Sequence, residues 1–308
     1  MVNKELKISV IIPTYNRDAT LIRAIDSVCE QTFLADEIII VDDSSSFCVV
    51  DYLKDYNGLI VITNSENLGA AQSRNIGFNQ ANGDYVAFLD SDDYWHPLKL
   101  EKQIEIANEY PDVGIIYCDQ FVVDKWNNID DSKNQLIDKD LWIHFVNGWT
   151  APNTSTLLFK KDIFKKLGGF DSELTSCQEH DLWMSVAFRD EKVKFSSQKL
   201  SYYYTGEDNR ISFDYYNRLN GAELFLNKWK EVIIKKQGLD HYNWFRRDYF
   251  SKVSLPLFIS SIRKNEILRA LIIYVKYLFY YSNFYWSLWN WVKKLFGNRT
   301  LKSNDNNL

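Results

Sequence analysis

The first 120 residues alternate short apolar runs with helical-period segments, and this alternation restricts the possible folds more than any other feature. "KISVIIPTY" is a β-branched run that stops at Pro13. In "DATLIRAIDSVCEQ", Leu21, Ile22, Ile25 and Val28 recur at the spacing that predicts a helix. "DEIIIVDDS" and "LIVITNS" read as two more strands, "GAAQSRNIGFNQAN" as a second helix, and "GDYVAFLDSDD" as a fourth strand. Strand and helix at this interval predict βαβ units, hence a mostly parallel sheet with helices on both faces. Ligands of such sheets bind beyond the carboxyl ends of the strands. Pro13, Thr14, Tyr15, Asp42, Asp43 and the Asp90 to Asp93 run all fall there.

From residue 100 to 220 the period is mixed. A helix is predicted at "LKLEKQIEIANEY", strands at "VGIIYCDQFVV" and "STLLFKK", and a helix from about Glu179. Beyond 220 the pattern is helical and aromatic. Four scattered cysteines, without a CxxC pair, argue for buried reduced thiols rather than disulfides or zinc. "MVNKELK" runs straight into "ISVII", so no secretory leader is expected here. The formal charge of −5 is unevenly spread. Residues 228–302 hold 15 Lys/Arg against 4 Asp/Glu, a net +11, which leaves −16 elsewhere. An acidic body with a basic tail calls for an anionic partner at the tail. No nucleic-acid partner is expected.

Asp90, Asp92 and Asp93 are three like charges in four positions, and something cationic must offset them. A hard divalent cation, Mn²⁺ or Mg²⁺, takes carboxylate and phosphate oxygens and suits a strand end. The plain alternative is an acidic turn capping the helix after Pro97. Tyr15 offers a ring for stacking on a base, Asp43 an acceptor for base or ribose, and Arg17 and Arg74 forked donors for phosphate. Each has an ordinary alternative: a loop tyrosine, a helix cap, a surface cation.

The ordered series "SVIIPTYNR", "DEIIIVDDSS", "NLGAAQSRNIGFNQANGDYVAFLDSDD", "GGFD" and "CQEHDLW" closely resembles glycosyltransferase family 2, over roughly residues 7 to 190. The resemblance implies the α/β GT-A fold, a Rossmann-like mixed sheet flanked by helices, with inverting, metal-dependent chemistry on nucleotide sugars. It implies that Pro13, Thr14 and Tyr15 hold the base, and that Asp43 and Asp42 bond the base or ribose. Arg74 would meet the diphosphate. Asp90-Ser91-Asp92 would be the DxD motif whose carboxylates hold the metal, with Asp93 beside them. The family's base aspartate falls on Glu179, one methylene longer, so the general base is left open between Glu179 and Asp181. His180 and Trp183 become candidate acceptor contacts, and "GGFD" the loop leading to them. The expected donor is UDP-linked, and the expected acceptor a saccharide, lipid-linked or a surface-glycan precursor. A nucleotidyltransferase would show a glycine-rich basic loop after the first strand, whereas "PTYNRD" has one cation and no glycine. A binding module without catalysis is the third reading.

From Glu266, "EILRALIIYVKYLFYYSNFYWSLWNWVKKLF" predicts one long helix. Arg269, Lys276, Asn283 and Asn290, seven apart, line a narrow polar stripe, because seven residues fall about 20° short of two turns. The rest is apolar or aromatic, in a form that suits a membrane interface. The expected organisation is a catalytic domain at 1–220, a basic aromatic helical extension at 221–298 and a disordered tail at 299–308. The expected location is the cytoplasmic face of a membrane, contacted through about 262–298, with a second copy of the chain as the other candidate partner for that helix.

Overall fold

A computed structural model of the chain describes residues 6–130, 140–148, 151–206 and 214–280. Contacts divide it into one unit of residues 1–174 and 178–208 and another of 175–177 and 209–308. The expected boundary at 220 falls inside a helix, Tyr215–Gln237.

Among the described residues, the first unit is built on nine strands. β1 (Ile8–Thr14) is buried along its whole length and pairs in parallel with β2 (Glu37–Asp42) and β4 (Tyr85–Phe88), while β3 (Leu59–Thr63) extends β2. A strand buried at every position belongs in the middle of a sheet covered on both faces. The sheet continues through β8 (Leu157–Lys160), β6 (Ile115–Val123), β9 (Val193–Tyr204) and β5 (Tyr94–Trp95), in the order β3-β2-β1-β4-β8-β6-β9-β5, with β7 (Ile129–Asp130) on β6. The parallel half is therefore as expected, and antiparallel strands complete a mixed sheet.

β9 is not announced by periodicity. "VKFSSQKLSYYY" is interrupted by four polar residues, and its register on β6 shifts around Asp119, which breaks the alternation. The helices α1 (Ala19–Cys29), α3 (Ala70–Gln80) and α4 (Lys99–Glu109) lie where predicted, with a short α2 (Val49–Tyr52) between β2 and β3. Gly77 on α3 allows a close helix–sheet approach, since a Cβ there would come within 2.5 Å of Ile11 Cγ2. α5 (Leu141–Val146), α6 (Lys161–Leu167) and α7 (Gln178–Phe188) complete the unit. Cys118 and Cys177 are buried, as expected, but Cys29 and Cys48 are exposed, which the expectation of buried thiols missed.

The described part of the second unit is helical, with α8 (Tyr215–Gln237) packed on α9 (Leu239–Arg263) and α9 on α10 (Ile267–Tyr280). Phe225, Phe245 and Tyr249 form its aromatic core, Phe225 and Tyr249 lying 4.7 Å apart. The predicted long helix starts as α10. Its remainder, with Asn283 and Asn290, and the 299–308 tail lie outside the described residues.

Candidate active site

Thr14, Asp42 and Thr63 share one row at the carboxyl ends of β1, β2 and β3, and Leu89 extends β4 beside Ile11. Tyr15, just past that row, is 48% exposed. Asn16 turns the chain at φ 50° and ties two loops together: its amide donates to Ser45 Oγ, and its Oδ1 accepts from the Ser46 amide. Asn tolerates this backbone region. Thr14 Oγ1 is buried without a hydrogen-bond partner. Asp42 is buried and accepts from the Ser45 amide.

Asp43 is buried and held within the protein. Its carboxylate accepts from Asn64 Nδ2 and from the Leu68 and Gly69 amides, each at 2.8 Å. Gly69 is the N-cap of α3 and has no side chain to satisfy the helix start, so Asp43 supplies the acceptor from another loop. The capping alternative was right in kind, but the helix it serves is α3.

Past β4, the carboxylates of Asp90, Asp92 and Asp93 offer oxygens that all lie within 4.8 Å of one another. Asp93 is fully buried, and both its oxygens accept: Oδ2 from Ser155 Oγ at 2.6 Å and Asn153 Nδ2 at 3.2 Å, Oδ1 from the Tyr204 amide at 3.0 Å. It knots the turn to the short 3₁₀ segment Thr154–Thr156 and to the end of β9. Asp90 and Asp92 keep side chains 24% and 16% exposed. Ser91 between them is buried. Arg17 stands 3.9 Å from Asp92 Oδ2.

Arg74, on α3, is 4% exposed and donates from Nη2 to Asp90 Oδ1. Its guanidinium lies 5.2 Å from the Phe170 ring. Burial opposes its charge, but the carboxylates of Asp90, Glu179 and Asp92 hold it above its ordinary pKa. Its Nε and Nη1 are buried with no hydrogen-bond partner. Phe170 is fixed by Asn75, whose Oδ1 accepts from the Phe170 amide and whose Nδ2 donates to its carbonyl. Gly169 permits this contact, with φ 76° and no room for a Cβ beside Asn75 Oδ1.

Glu179, in the first turn of α7, is half-buried, and its Oε1 accepts from Thr154 Oγ1 at 3.3 Å. His180 is also half-buried, whereas Asp181 is only 3% exposed. Trp183 is 1% exposed, with Tyr117 edge-on at 5.4 Å and Phe145 stacked at 5.9 Å. Its placement leaves no ring face for a sugar, so the expected acceptor contact is a core tryptophan. The structure thus gathers Arg74, Asp90, Asp92, Asp93 and Glu179, buries Trp183 in the core, and ties Asp43 to the start of α3. Asn16, Asn64, Asn75, Asn153 and Ser155 were missed. "PNTST" carries the side-chain acceptors of a helix start, a signal that would have pointed to Asn153.

The donor set fits a hard cation. All oxygens are carboxylate, and their 4.8 Å limit compares with ~4.2 Å between opposite ligands at ~2.1 Å from Mg²⁺.

Comparison with known proteins agrees. The fold is shared with S. aureus TarS 1–349, solved with UDP-GlcNAc, at a TM-score of 0.57 and 20% identity over 87% of this chain and 90% of that one. This is the GT-A architecture. An uncharacterized glycosyltransferase of Haemophilus influenzae is 31% identical over 186 residues, 58% of this chain and 61% of that protein. The amylovoran biosynthesis glycosyltransferase AmsB of Erwinia amylovora is 27% identical over 213 residues, 65% of this chain and 70% of that protein. The matches span 61–63% of the length of the first curated relatives. The family model for glycosyl transferase family 2 matches residues 9–168, from β1 through the strand-end aspartates to the end of α6, and to that family this chain belongs.

Proposed function

We propose that the chain is an inverting glycosyltransferase that moves a hexose or N-acetylhexosamine from a UDP-linked donor to a saccharide acceptor. The observation that carries this reading is the meeting of Asp90 and Asp92 with Arg74 and Glu179 at the strand ends. Two supports come from the comparisons: TarS is solved with UDP-GlcNAc and with UDP, and AmsB is named for amylovoran biosynthesis. These favour a surface-glycan precursor, free or lipid-linked, as acceptor.

In this reading Tyr15 stacks its exposed ring on the base, over the row formed by Pro13, Thr14 and Asp42. Asp90 and Asp92 would hold Mn²⁺ or Mg²⁺, and Asp93 holds the turn that presents them. When bound, the cation supplies positive charge to the departing diphosphate. Arg74 stabilises the carboxylates on either side of it, and through Asp90 it places positive charge beside the cation site. Glu179, oriented by Thr154, takes the proton of the acceptor hydroxyl as that oxygen bonds to the anomeric carbon and the carbon–phosphate oxygen bond breaks. Asp181 is too buried for that role, and His180 lines the acceptor side. The exposed apolar residues of α10 and the basic charge of the C-terminal region would rest on an anionic membrane surface.

The test is UDP release from a panel of nucleotide sugars with a saccharide acceptor. Asp92→Asn and Glu179→Gln are each expected to lower turnover about 10²–10⁴-fold, with thermal stability unchanged. Full turnover by either variant contradicts the assignment of that residue. Release of pyrophosphate instead of UDP would point to nucleotidyl transfer.

A further inference from the structure

Arg23, on α1, plays no part in the chemistry above, yet its side chain ends at the aspartate turn. Nη2 donates to the Asp92 carbonyl at 2.7 Å. The guanidinium lies between two rings, 4.6 Å from the Tyr94 centroid and 4.3 Å from that of Tyr204. Tyr94 is in turn stacked on Tyr202, 4.5 Å away and 6° from parallel. A planar cation between aromatic faces is held in both position and tilt, which an aliphatic side chain would not be.

The hydrogen bond falls where it has most effect on Asp92. The carbonyl of Asp92 and the amide of Asp93 belong to one peptide unit, which is planar. Arg23 holds its oxygen, and the Asp90 carbonyl accepts from its N–H at 2.9 Å. Pinning both ends fixes ψ of Asp92 and φ of Asp93, and so the direction in which the Asp92 side chain leaves the turn. The second ring, Tyr204, also donates its amide to Asp93.

We propose that Arg23 is a positioning residue for the divalent cation: through the Asp92–Asp93 peptide it aims the Asp92 carboxylate at the site. This rests on the reading of Asp90 and Asp92 as metal ligands. Residues that orient ligands of a metal typically change affinity by about 10–100-fold when removed.

The test is Mn²⁺ affinity of the full chain with saturating UDP, read by electron paramagnetic resonance of free Mn²⁺. It is run on wild type, Asp92→Asn, Arg23→Gln, Arg23→Lys and Tyr204→Phe. Arg23→Gln is expected to weaken binding about tenfold. Arg23→Lys, which keeps charge and reach but not the flat fork, should fall between it and wild type. Tyr204→Phe keeps the ring and the amide, and should match wild type. At saturating Mn²⁺ the kcat of the folded Arg23 variants should return to within about twofold of wild type, because the defect lies in occupancy. Wild-type affinity in Arg23→Gln overturns the proposal. If that variant does not fold, wild-type affinity in Arg23→Lys overturns it equally. Wild type that binds Mn²⁺ no better than Asp92→Asn removes the ligand assignment itself, and this proposal with it. Binding lost only in Asp92→Asn leaves the ligands standing and removes Arg23 alone.

Discussion

Lys99 is fully buried beneath the site, its ammonium 3.9 Å from the Trp95 ring and bonded to Gln103 Oε1 at 2.8 Å. Burial pushes it down to about 8, from an ordinary value of 10.5. Below pH 8 both the folded and the unfolded chain carry the proton, and the full cost of burying charge opposes folding. Between about 8 and 10.5 the unfolded chain holds more protons, so stability rises with pH; above that window the cost is gone. Lys99→Met is expected to raise stability at pH 7 by about 1–3 kcal/mol, and to remove its share of the rise between pH 8 and 10.5. Urea unfolding of both proteins at pH 7 and pH 10 checks this, and a variant less stable at pH 7 contradicts it. At this scale the sequence was readable for chemistry and unreadable for direction. Residue type put Asp43 and Trp183 at plausible posts, but their contacts come from residues distant in the chain. Asp43 accepts from Asn64, 21 residues on, and Trp183 meets Tyr117 and Phe145. No local period records such partners.

Among elements, those with a strong period were legible. Four parallel strands and the helices α1, α3 and α4 fell where the sequence pattern placed them. β1, β4, α1 and α4 bury apolar rows or stripes, whereas β3 is only partly buried and α3 buries Ser73 and Arg74 beside Ala71 and Phe78. β9 hid behind its polar residues and its shifted register on β6. α10 keeps the apolar character read from the sequence. Ile267, Leu268, Leu271, Ile272 and Val275 are between 44% and 71% exposed, while Ala270 and Ile273 are buried. An exposed apolar row followed by Tyr and Trp suits a membrane interface. The full chain is expected to float with vesicles containing phosphatidylglycerol, and the double variant Leu268→Asp/Leu271→Asp to float several-fold less. Both side chains are exposed, so the substitutions spare the packing. Equal flotation of the two proteins would assign the row to another use.

For the molecule as a whole, charge and fold divide along the chain. A net −16 lies outside residues 228–302 and +11 within them, and the sheet, with its aspartate turn, belongs to the acidic part. Among the described residues no helix is long and apolar enough to cross a membrane. The part-exposed carboxylates of Asp90 and Asp92 would repel a diphosphate unless a cation accompanied it. The most direct measurement is therefore calorimetric titration of the full chain with UDP, with and without Mn²⁺, on wild type and on Asp92→Asn. The expected result is at least tenfold tighter UDP binding with Mn²⁺ in wild type, and no such gain in Asp92→Asn. UDP binding that is the same with and without the metal would contradict the account.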